Sequence, residues 1–63
     1  METLKTLHAK IEKKTNNIER AKIDLITADS DSIISMLKDF IIKNKKEKKS
    51  LQNQMDEMYE KFN

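Results

Sequence analysis

Apolar residues recur along this chain in two long helical periods separated by one polar break. In the first, Leu4, Leu7, Ile11, Ile18, Ala21, Leu25 and Ala28 lie on a heptad stripe. Such 3–4 spacing lines one face of a helix. One position of that stripe, Lys14, is charged, and Thr15-Asn16-Asn17 follows it. This is the weakest helix-forming stretch of the segment. Asn16 and Glu19 stand at the spacing of a capping box, so a kink or break in the first helix would fall here. Past Ile18 the apolar face widens, because Ile23 and Ile26 add surface off the stripe.

The second period runs through Ile34, Leu37 and Ile41, lapses at Asn44 and Lys48, and resumes at Leu51, Met55, Met58 and Phe62, with Tyr59 at its border. Between the two periods lies Ala28-Asp29-Ser30-Asp31-Ser32. Asp and Ser accept from the free N–H groups that open a helix, and an acidic side chain suits its positive end. Any of Asp29, Ser30 or Asp31 could serve as the cap. The pattern predicts an all-α hairpin forming a single domain over residues 1–63, with a helix over 4–28, a turn at 29–31 and a helix over 32–62. At about 1.5 Å per residue the helices would be about 37 and 46 Å long. A short loop makes such helices antiparallel neighbours. Folding the hairpin about Ser30 brings together residues whose numbers add to about 60. Leu25 then meets Ile34 and Leu37, Ala21 and Ile18 meet Leu37 and Ile41, and Lys14 falls opposite Asn44 and Lys48. The two stripes lapse at one level, giving a hairpin with two apolar ends and a polar waist.

The stretch Ser32–Ile42 (S-I-I-S-M-L-K-D-F-I-I) exceeds what such a hairpin can cover. At about 100° per residue, Ile33, Ile34, Met36, Leu37, Phe40 and Ile41 span about 160° of helix surface. Ile42 lies outside even that arc. One neighbouring helix covers only part of it. The expected contact surface for a second copy or a protein partner is therefore Ile23, Ile26, Ile33, Met36, Phe40 and Ile42, with Met36 and Phe40 at its centre. A homodimeric four-helix bundle is the expected assembly, since a two-fold interface uses the same patch twice.

Composition narrows the alternatives. Gly and Pro are absent, which removes the usual turn formers of a small sheet protein and favours long helices. Cysteine is absent too, which excludes disulfides and thiolate zinc sites. The run from Leu25 to Leu37 is interrupted by Asp29 and Asp31, too short and too polar for a membrane span. The N-terminus lacks the basic-then-apolar pattern of a signal peptide. A soluble, cytoplasmic protein is expected, with no cofactor.

The net charge of +2 is modest, but its distribution is not. Lys43, Lys45, Lys46, Lys48 and Lys49 cluster in K-N-K-K-E-K-K, and the hairpin register places them beside Lys10, Lys13 and Lys14. Eight lysines around one waist could meet nucleic-acid phosphates or an acidic protein face. The cluster has no arginine, no aromatic for base stacking and no reading motif. Lysine-rich helix faces are commonly just solvated.

Other chemistry is sparse. His8, the one histidine, borders the first stripe without the companions that a metal site or a nucleophile would need. Asp29-Ser30-Asp31 begins like a calcium loop, but Ile34 and Phe40 stand where Gly and Glu are required. No phosphate loop or nucleophile elbow is present, so no catalysis is expected. Length, turn position and heptad stripes together resemble the plasmid copy-number regulator Rop and its kin, helical hairpins that dimerise into a four-helix bundle and bind paired RNA stem-loops. That resemblance implies a nucleic-acid-binding dimer. Its RNA face, with an exposed aromatic among basic and polar residues, has no position-by-position counterpart here, so no residue role carries over. Small bacterial kinase inhibitors and phage-encoded inhibitors also use helical hairpins. The leading expectation is a non-enzymatic regulatory protein, an inhibitor or adaptor binding a protein partner. A Rop-like nucleic-acid binder or a structural assembly subunit is the alternative.

Overall fold

In the computed structural model, which describes residues 3–62, the chain folds into two helices packed along their length. Helix α1 spans Leu4–Thr27 and helix α2 spans Asp31–Phe62. Thr3 caps α1 with an extended backbone, and its Oγ1 accepts from the backbone N–H of Thr6 at 3.1 Å. The cap satisfies one of the donors that every helix start leaves free. The stripe marked where α1 begins but not what capped it.

The turn is one residue earlier than expected, at residues 28–30 rather than 29–31, and Asp31 is already helical. Ala28 ends α1 in an extended conformation, its N–H reaching Leu25 O at 3.4 Å. Ser30 O accepts from Ile34 N at 2.9 Å, the first bond of α2. Ser30 therefore holds the cap position that the sequence left open among three residues. No described residue takes a positive φ. The connection thus needs no left-handed residue, consistent with a chain that contains no glycine.

Helix α1 is continuous through Thr15-Asn16-Asn17, so the break weighed there does not occur. Thr15 Oγ1 instead donates to Ile11 O at 2.9 Å, one turn back inside the helix. Packing along α2 outweighs the few tenths of a kcal/mol per residue by which these side chains disfavour helix.

The buried positions follow the two stripes. Ile18, Ala21 and Ile41 form a core cluster, with Leu25 and Leu37 packed against it on the turn side. Beyond the waist Leu7 is fully enclosed, 0% exposed, and Ile11, Leu51, Met55 and Met58 are half-buried. Phe62 is helical in its backbone, but the stripe position expected of its side chain lies outside the described residues. The hairpin is a rod 49 Å long and 18 by 14 Å across. No helix among the described residues is long and apolar enough to cross a membrane.

Candidate functional site: an apolar groove beside a polar waist

The waist is where the two stripes become polar. Asn44 is 3% exposed, in a core otherwise built of aliphatic side chains. Its Nδ2 donates to Phe40 O at 2.8 Å, and its Oδ1 accepts from Asn17 Nδ2 at 3.3 Å. The buried amide thus uses both a donor and its acceptor, as a polar group out of water must. Asn17 is the partner that the sequence register missed, since it had set Lys14 against Asn44 and Lys48. Lys14 in fact pairs with Glu47, Nζ to Oε2 at 2.6 Å. This charge-assisted bond holds the Glu47 carboxyl below its ordinary range, aided by the nearby charges of Lys14 and Lys43 and opposed by partial desolvation.

On the turn side of the waist, one flank of the hairpin forms a groove of about 380 Å³. Ile33, Met36 and Phe40 of α2 make its apolar wall, Leu37 and Ala21 its floor, and Asn17, Arg20 and Asp24 of α1 its polar wall. The wide arc read in Ser32–Ile42 explains the division. Ile34, Leu37 and Ile41, toward one edge of the arc, turn toward α1, whereas Met36 and Phe40, toward the other edge, remain 71% and 43% exposed. Ile33 is likewise exposed.

The six residues expected to make one contact surface do not share a face. Ile23, Ile26 and Ile42 are exposed, Ile26 by 82%, but none lines this groove. Ile42 lies about 160° around α2 from Phe40, two residues on, which carries it to the opposite flank. Only Ile33, Met36 and Phe40 are brought together. The groove's other wall, Arg20 and Asp24, escaped the sequence reading, although register and helical angle place Asp24 beside Met36 and Arg20 beside Phe40. Neither forms an ion pair among the described residues.

The lysines divide in the same way. Lys10, Lys13 and Lys14 line a second groove, of about 460 Å³, with Glu47, Ser50 and Leu51. Lys43, one heptad from Met36, projects from the same flank of α2. Lys45 lies about 160° away from Lys43 and Lys49 about 120° away, so these two face the other flank. Lys46 and Lys49 are exposed, while Lys48 is half-buried at the stripe position where the register had set it. The waist is basic on all sides rather than one concentrated surface, and Glu47 partly neutralises the flank that holds the grooves. His8 is exposed on α1. The chain matches no protein-family model, no curated protein and no solved structure.

Proposed function

We propose that this chain is a small non-enzymatic regulatory protein, an inhibitor or adaptor, that acts by setting an apolar helix face against another polypeptide. Two hairpins associate through that face into a four-helix bundle. The observation that carries this reading is the groove walled by Ile33, Met36 and Phe40, large side chains left in water beside a core that needs no more of them. Fully burying each such side chain contributes roughly 1.5–3 kcal/mol. The whole stability of a small domain is only about 5–15 kcal/mol. A helix-in-groove contact anchored by residues three and four apart is a recurrent way of using such a face. Methionine at its centre suits an adaptable surface. The groove lined by Lys10, Lys13 and Lys14 supports a second reading, in which the waist binds nucleic-acid phosphates.

A capture experiment separates the two. The tagged chain is incubated with an extract of its source cells, with and without nuclease, beside a Phe40→Asp variant whose helicity is checked by circular dichroism. A protein partner held through nuclease treatment and lost with Phe40→Asp is the expected result. Capture that nuclease abolishes and Phe40→Asp leaves intact would overturn it in favour of the phosphate reading.

A further inference from the structure

The groove carries its own charge pattern, and that pattern selects an occupant. Arg20 and Asp24 stand one helical turn apart on its α1 wall, both exposed and of opposite sign. By the register that Asn17 and Asn44 fix, the level midway between Met36 and Phe40 on α2 falls between Arg20 and Asp24 on α1. A two-fold axis crossing the face at this level, perpendicular to the rod, lays α1 on α1 and α2 on α2 in opposite directions. Arg20 of each copy then meets Asp24 of the other, and the apolar wall of each copy meets its own counterpart.

The same operation fixes where the remaining charges go. It carries the turn of one copy, with exposed Asp29, to the near edge of the other copy's waist, where Lys43 and Lys13 stand on the same flank; Asp31, about 140° around α2 from Met36, faces the other flank. Acidic turn thus meets basic waist twice in the dimer. The two other symmetric arrangements lack this match. With both turns at one end, the two lysine waists lie at one level and repel. With the rods overlapped along their full length, Met36 and Phe40 face the open end of the second copy. Met58 stands there at the helical angle of Phe40, but this overlap puts the axis through the waists, so that Lys13 of each copy lies against Lys13 of the other and the two repel.

We infer that the groove's occupant is a second copy of this chain, docked over the turn-proximal halves alone, with reciprocal Arg20–Asp24 pairs and each acidic turn seated on the other copy's lysine waist. This rests on the reading above, that the Ile33, Met36 and Phe40 face is a contact surface, and gives that surface its partner and geometry. The four-helix part of the assembly is then confined to the shared half, and the open ends project in opposite directions.

The test uses charge reversal and a distance. Arg20→Glu leaves two acidic residues on the wall, and Asp24→Lys leaves two basic ones. Both positions are exposed, so both variants keep the hairpin, as circular dichroism will verify. Sedimentation should find wild type dimeric, each variant alone shifted at least tenfold toward monomer, and an equimolar mixture of the two dimeric again. A pair formed within one hairpin could not be restored by mixing. The chain has no cysteine, so Gln54→Cys takes a single spin label. Gln54 lies about 24 Å along α2 from the axis, which sets the two labels about 48 Å apart. A label distance under about 30 Å would place the axis elsewhere and overturn the inference. Dimers that ignore both charge reversals would overturn it as well. A monomeric wild type would also do so, yet a protein partner still captured and lost with Phe40→Asp would leave the functional reading standing.

Discussion

At the scale of the residue, Asn44 and Glu47 show how polar side chains are accommodated in a two-helix core. Asn44 is enclosed and bonded to both helices, to Phe40 O in α2 and to Asn17 in α1. A buried asparagine at a core position fixes register at a cost in stability. Burying a leucine side chain there contributes roughly 1.5–3 kcal/mol, against about 1 kcal/mol for a hydrogen bond. Asn44→Leu should therefore raise the chemical denaturation midpoint by an amount equivalent to about 1 kcal/mol. It should also allow a second register, seen as doubled amide resonances. A lower midpoint would mean that the amide pair stabilises the hairpin outright. Glu47 yields a prediction in pH. Its carboxyl is held low by the Lys14 bond, so the pair's contribution is present above the ordinary carboxylate range and is lost as pH falls through the depressed value. Carbon-detected titration should give Glu47 a midpoint below the ordinary carboxylate range. Lys14→Met should move that midpoint upward.

At the scale of the element, the ends of the helices depend on single side chains. Thr3 supplies the cap of α1, and no acidic residue assists it in the first turn. Thr3→Ala should cost about 1 kcal/mol of stability, with amide exchange quickening in the first turn and unchanged at Ala21. Equal quickening along all of α1 would show that the hairpin opens as one unit. The middle of α1 obeys a different balance. Thr15, Asn16 and Asn17 are poor helix formers, yet Thr15 bonds back to Ile11 and Asn17 bonds across to α2. The tertiary contact uses the very side chain whose propensity argues for a break.

At the scale of the molecule, the rod has a covered seam and, beside it, an open apolar groove. An assembly that covers the groove ties stability to concentration, because association draws on the folded chain and not on the unfolded one. The thermal midpoint should rise by several degrees between 1 and 100 µM, a range chosen on the order of typical association constants. Phe40→Asp should remove that dependence. A midpoint that does not vary with concentration in the wild type would mean the hairpin melts as a monomer.

The sequence alone was enough to determine the two helices, the stripe each buries, the polar turn and the level at which the core becomes polar. These follow from periodicity within a single segment, and the absence of glycine and proline left that periodicity unbroken. It also marked Ile33, Met36 and Phe40 as more apolar surface than a hairpin can cover. Only the tertiary structure decided which flank stays open, because a wide apolar arc reads the same whichever edge its neighbour covers. It separated Ile23, Ile26 and Ile42 from the groove and set Arg20 and Asp24 as its other wall. It also paired Asn17 with Asn44 and Lys14 with Glu47. Those pairings turn on an axial register finer than one helical turn, about 5.4 Å, which the contact between the helices fixes and the spacing within either one does not.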